Sequence, residues 1–158
     1  MEQRLNYVKS APTGYRAMAA LNRYVEECGL EHALLELVKM RASQINGCAY
    51  CIDMHSKDAR ALGESEQRLY ALNAWRETPF FSERERAALA LTEAVTKIAD
   101  SQQVPDAIYA EASQHFSEEE LVNLVLAIVT INGWNRLAIT FRTPVGNYQS
   151  KYAAQEIV

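Results

Sequence analysis

Four side chains in one twenty-residue stretch, Glu36 to His55, carry the chemistry that this sequence can do. Cys48 and Cys51 form a C-x-x-C pair, His55 follows four residues later, and Glu36 stands twelve residues before Cys48. Asn46-Gly47 reads as a helix stop, because glycine enters the left-handed region at little cost. A new helix starting there puts Cys48, Cys51 and His55 on one face, at steps of three and four. Both thiols then lie near the helix N-terminus, where backbone N–H groups and the helix dipole favour a thiolate. The imidazole one turn on can take a thiol proton or pair with the thiolate. Glu36 returns to the same place if the preceding helix packs antiparallel, since both it and His55 lie roughly 12–17 Å from the turn at about 1.5 Å per residue. A thiol, a base and a group that orients the base make an activated nucleophile.

The rest of the chain must hold that hairpin. Its 158 residues suffice for a buried core and predict one domain over 1–158. The composition is 49% hydrophobic and 23% charged, which excludes a disordered chain. A net charge of −4 with no Lys/Arg run gives no footprint for nucleic acid. No apolar stretch free of polar residues reaches membrane-spanning length, and the first ten residues have no apolar signal core. A cytoplasmic setting follows as the expectation. Three cysteines there make no disulfide framework, and a close pair reads as redox-active or metal-binding.

Helical periodicity runs through the sequence, and no strand alternation appears, so the fold class is all-α. A first helix over about 12–27 is capped by Ser10 or Thr13, with Pro12 in its first turn. Helices over about 31–45 and 48–62 follow, with Glu36 off the apolar stripe of the first, and Ser65 caps a short one. Residues 75–81, with Pro79, read as a loop. Ser82/Glu85 and Ser117/Glu120 are capping boxes that open helices over 83–99 and from 118 on. Another helix begins at Val104-Pro105-Asp106. The segment after Glu120 is apolar on nearly every face until Asn132, as in a core or a subunit interface. The tail from Pro144 has no clear pattern. C-x-x-C outside a βαβ unit argues against a thioredoxin fold.

Glu36, Cys48-Ala-Tyr-Cys51 and His55 in an all-α chain resemble the AhpD-like alkylhydroperoxidase family of the carboxymuconolactone decarboxylase superfamily. The family's motif is a Glu, eleven intervening residues, then C-x-x-C-x-x-x-H, and every fixed position matches. Asn132-Gly-Trp134-Asn135 also resembles the family's later helix. The resemblance spans roughly 15–144. It implies a thiol-dependent peroxidase in which Cys51 is the peroxidatic thiol, Cys48 resolves it, His55 is the base and Glu36 relays or balances its proton. It implies a homotrimer or homohexamer, a hydroperoxide substrate and an external dithiol reductant of the lipoyl type, with no bound cofactor or metal. The best-described members carry His where this chain has Tyr50, and a phenol with a pKa near about 10 is a poor base. Tyr50, Asn132 and Trp134 are auxiliary candidates that can line or pack against the site.

Other readings stand beside this one. Cys48, Cys51 and His55 offer three zinc ligands, with Cys28 or an acid as a fourth, although these spacings along one helix are not a usual zinc arrangement. A lactone decarboxylase of the same superfamily needs no thiol pair. A redox sensor would form the same disulfide without rapid turnover. Cys28 reads as packing near a helix end, and His32 and His115 as helix-end residues.

Overall fold

The computed structural model describes residues 2–152. Nine α-helices and one 3-10 helix account for its regular structure, with no strand among the described residues: α1 (Tyr7–Ser10), α2 (Pro12–Glu27), α3 (His32–Asn46), α4 (Ala49–Ala61), α5 (Glu66–Ala71), a 3-10 helix (Leu72–Glu77), α6 (Glu83–Thr96), α7 (Ile98–Ser101), α8 (Asp106–His115) and α9 (Glu118–Phe141).

Helix α3 is the hub and packs against α4, α6 and α9. That position buries it on nearly every side, from Leu34 through Met40 and on to Ala42 and Ser43. Glu36 lies off the apolar stripe and is buried all the same, because neighbours cover the flank that an amphipathic helix would leave wet. Leu34, Leu35 and Val38 of α3 meet Ala88 and Leu91 of α6 and Leu124 and Ile128 of α9 in the main core. Each fully buried Leu or Ile there is worth about 1.5–3 kcal/mol of transfer free energy. A second cluster joins Leu37 and Met40 to Leu72, Trp75, Phe81 and Leu89. A third joins Ala42, Ile131 and Ala138 to both thiols of the pair.

Local signals set the helix ends. Both capping boxes form: Ser82 Oγ accepts from the Glu85 amide and Glu85 accepts from the Ser82 amide, and Ser117 and Glu120 do the same. Gly47 ends α3 with φ 69° and ψ 32°. Ala11, not Ser10 or Thr13, occupies the N-cap of α2, with Pro12 at its first position. The helix expected over 83–99 breaks at Lys97, which separates α6 from α7.

The stretch expected as a loop at 75–81 is partly helical. Trp75 lies in the 3-10 helix and is buried, its Nε1 donating to Glu93 at 3.0 Å. Arg86 donates to the carbonyls of Trp75 and Thr78 at 3.1 and 3.2 Å and so satisfies the end of this short element. Tertiary partners, absent from any local pattern, fix its shape. Helix α9 is long and apolar enough to cross a bilayer, yet it is a core element here, with 44% of its apolar 18-residue span buried within the protein.

The first and last described segments pack back onto the helices, the first against α9 and the last across α4. The Arg4 amide donates to the Phe141 carbonyl at 3.0 Å, and the Tyr7 ring packs on Phe141 at 5.7 Å between centroids. After α9, residues 144–152 cross α4, and the tail beyond them lies outside the described residues.

Candidate active site

Helix α4 starts where the sequence places it. Cys48 is its N-cap, with extended φ −84° and ψ 93°, and Cys51 and His55 follow along the buried face. The sulfurs of Cys48 and Cys51 are 2.6 Å apart, both cysteines are free, and both are 1% exposed. No large backbone movement separates them from a disulfide.

The antiparallel hairpin brings Glu36 to His55. The imidazole Nδ1 lies 2.7 Å from one carboxylate oxygen of Glu36, and the Lys39 ammonium donates to the other at 2.9 Å. All three residues are buried. Burial opposes charge on Glu36, but the hydrogen bond and charge of His55, with the charge and hydrogen bond of Lys39, outweigh it and hold the carboxyl at about 2. The sequence gives Glu36 one partner, and the structure gives it two.

The two thiols titrate as a pair. The hydrogen bond shared with Cys51 is the largest influence on Cys48; helped by backbone N–H groups at the helix start and by the Asn135 amide, it outweighs burial and lowers the Cys48 thiol to about 7. The same hydrogen bond, burial and the neighbouring charge push Cys51 strongly up. The lower thiol and the accessible one are therefore different sulfurs. Cys48 is the thiol held lower, whereas Cys51 lines the adjoining cavity of about 250 Å³.

That cavity is walled by Tyr7 and Tyr15 from the N-terminal helices, Tyr50 and His55 from α4, Trp134 from α9 and Tyr148 from the tail. Burial pushes the Tyr50 phenol up, so it stays protonated and is no base at neutral pH. Trp134 packs edge-on against Tyr15 at 5.7 Å and so fits its expected place beside the site. Asn132 does not line this cavity. It accepts from Asn46 at 2.9 Å and donates to Thr96 at 3.1 Å, and it faces an apolar groove on the far side of α9. Its neighbour Asn135, one helical step away, is the amide at the thiols; it accepts from Asn46 at 2.8 Å and donates to Ser43 at 3.0 Å.

Glu36, His55 and Asp58 bring possible ligand atoms within 4.8 Å of one another. The carboxylates are already engaged, Glu36 by Lys39 and His55, and Asp58 by the hydroxyls of Tyr148 and Ser150. Cys48, Cys51 and His55 do not converge as the three-ligand zinc set that their spacing allows; among the described residues the metal-type grouping excludes both thiols. Cys28 is remote in role as well, its Sγ donating to the Val25 carbonyl at 3.0 Å.

Residues 12–94, which span the whole Glu36–His55 stretch, match the carboxymuconolactone decarboxylase family. The chain belongs to that family. It is 48% identical to the uncharacterized protein YdfG of Bacillus subtilis over 139 residues, 88% of this chain and 94% of that one. It is 46% identical to ATU0492 of Agrobacterium tumefaciens, a protein of unknown function tied by name to AhpD antioxidant defence; the match covers 93% of this chain and all of the other, with a TM-score of 0.89. An uncharacterized peroxidase-related protein from Ralstonia eutropha, described as an alkylhydroperoxidase AhpD core, shares the fold at a TM-score of 0.78 with 20% identity, over 92% of this chain and 76% of its own. The helical arrangement is thus AhpD-like, and the buried Glu36–His55 pair and the C-x-x-C pair sit within the family match.

Proposed function

We propose that this chain is a thiol-dependent peroxidase that reduces organic hydroperoxides through a Cys48–Cys51 cycle. The observation that carries the reading is the contact between two free thiols at a helix N-terminus, one of them facing a cavity that also holds a buried, carboxylate-bound histidine.

The two sulfurs in contact share a proton, and its transfer to Cys48 leaves the thiolate on Cys51, the sulfur that the cavity reaches. The Cys51 thiolate attacks the distal oxygen of the hydroperoxide, the O–O bond breaks, and the alcohol leaves with a proton from the His55 side of the cavity. Cys51 becomes a sulfenic acid. Cys48 attacks that sulfur, water leaves, and the disulfide closes. One hydroperoxide takes two electrons from two thiols. An external dithiol of the lipoyl type returns them by exchange. His55 acts as base and Glu36 keeps its ring oriented and balances its proton.

Lactone decarboxylation fits less well. A carboxylactone brings carboxylates, and both cavity lysines are spent, Lys39 on Glu36 and Lys151 on Glu26. Self-assembly as a trimer or hexamer accords with Val122, Val129 and Ile139, which α9 leaves exposed, and light scattering of the purified chain reads it directly. Free thiols suit the reducing cytoplasm.

The test is a thiol count before and after one equivalent of an organic hydroperoxide, then with dihydrolipoamide. Rapid loss of two thiols per chain, restored by the dithiol and absent in Cys51→Ser, supports the cycle. Full peroxidase activity in Cys51→Ser would overturn the assignment of roles.

A further inference from the structure

One wall of the thiol cavity comes from a segment outside the helical scaffold, and a single buried carboxylate holds it there. Asp58 lies on α4 three residues after His55 and is 3% exposed. Its two oxygens accept from the Tyr148 hydroxyl at 3.0 and 2.9 Å, and one of them accepts from Ser150 Oγ at 2.7 Å. No cation reaches it among the described salt bridges. A buried carboxylate costs several kcal/mol to desolvate, so its hydrogen bonds to the tail matter to both sides of the contact. Two further links run the same way: Lys57 Nζ donates to the Tyr148 carbonyl at 3.1 Å, and Lys151 pairs with Glu26 of α2. Tyr148 and Lys151 thereby complete the cavity that Cys51 and His55 share.

We propose that Asp58 and Tyr148 form a specificity clasp: Asp58 is a positioning residue that fixes residues 148–151 across the mouth of the thiol cavity, and the Tyr148 ring limits the size of the oxidant that reaches Cys51. The proposal rests on Cys51 being the sulfur that meets the oxidant. Asp58 serves it without touching the reacting atoms. Burial and the neighbouring Asp58 charge push the Tyr148 phenol up, so it remains a hydrogen-bond donor throughout the working pH range. The aromatic ring, half-buried and tied at its hydroxyl, has little freedom to swing aside while the clasp holds.

The experiment is alkylation of the reduced full chain with iodoacetamide and with N-phenylmaleimide, with the rate at Cys51 located by peptide fragmentation. The readout is the ratio of the bulky to the small reagent, which needs no peroxidase activity. In Asp58→Ala and Tyr148→Ala the ratio should rise at least tenfold. Tyr148→Phe, which keeps the ring but cuts its bond to Asp58, should rise part of the way. Asp58→Asn, whose amide oxygen still accepts from Tyr148, should stay within about threefold of the parent. A parallel series with hydrogen peroxide and cumene hydroperoxide should show KM falling for the bulky substrate alone in the opened variants. A ratio within twofold of the parent in Tyr148→Phe and Tyr148→Ala, with helical circular dichroism intact, overturns the clasp. If Asp58→Ala fails to fold, the Tyr148 variants decide. If no variant or parent reduces a peroxide but the alkylation ratio shifts as stated, the peroxidase reading fails and the clasp stands as a size filter on access to Cys51.

Discussion

His55 and Glu36, nineteen residues apart on two antiparallel helices, meet at 2.7 Å in the interior, and Lys39 closes on the same carboxylate from the other side. A carboxylate with two cationic or donating partners in a buried site is stable only as a unit. Removing one member leaves a buried charge without compensation. Glu36→Ala should therefore destabilise the fold by about 3–5 kcal/mol and slow thiol oxidation, because Lys39 and His55 both lose their partner. Glu36→Gln, which keeps hydrogen bonding, should fold better but still slow the reaction. Chemical denaturation and stopped-flow oxidation of the two variants check this.

The same carboxylate predicts an acid limit. Its pKa is about 2 in the folded protein against an ordinary value of 4.5. A lowered folded pKa contributes stability above the unfolded pKa, and that contribution fades as pH falls from about 4.5 through 2. The span corresponds to about 3 kcal/mol. Melting temperature followed over that window should fall less steeply for Glu36→Gln than for the parent. Equal slopes would show that Glu36 carries no such linkage.

The thiol pair makes a spectroscopic prediction. With Cys48 lowered to about 7 by its hydrogen bond with Cys51, absorbance at 240 nm should report one thiolate of the pair forming near neutrality, with the pair's second proton held far above. Cys51→Ala removes that hydrogen bond and should move the Cys48 midpoint upward. Cys48→Ala removes the neighbouring charge and should bring Cys51 down towards the ordinary range. Asn135→Ala takes away an amide that favours both thiolates, so the parent midpoint should rise, and the broken links to Asn46 and Ser43 should cost about 1–3 kcal/mol.

The site's skeleton was legible because its spacings are local and helical. Gly47 as a stop and Cys48, Cys51 and His55 on one face follow from cap chemistry and rise per residue; the return of Glu36 adds the condition that the two helices pack antiparallel, which they do. The burial of Glu36 was harder to read, since a carboxylate off the apolar stripe is usually solvated; its cause is the central place of α3, a property of packing. Lys39 looks like an ordinary surface lysine in the sequence. Asp58 and Tyr148 are ninety residues apart, in contact only because the irregular tail crosses α4, and no periodicity encodes that path. Asn132 and Asn135 differ by less than one helical turn, so only the rotation of α9 against α3 decides which amide meets the thiols. Trp75 reads as loop in the sequence because a six-residue 3-10 helix has too few turns to show a period.

Two glycines on the helical scaffold give opposite signs and test the hairpin geometry itself. Gly47 has φ 69°, and a side chain there would be strained even though nothing lies within 4 Å of an added Cβ. Gly47→Ala should cost about 1 kcal/mol and, because Cys48 follows directly, should also shift the thiolate midpoint. Gly14 lies inside α2 with an added Cβ meeting nothing closer than 4.0 Å. Gly14→Ala should stabilise by about 0.5–1 kcal/mol through lower unfolded-state entropy and better helix propensity, with the thiol titration unchanged. Denaturation midpoints and 240 nm titrations of the two variants give the comparison. If Gly47→Ala matched Gly14→Ala in sign, the left-handed turn that sets Cys48 at the head of α4 would be wrong.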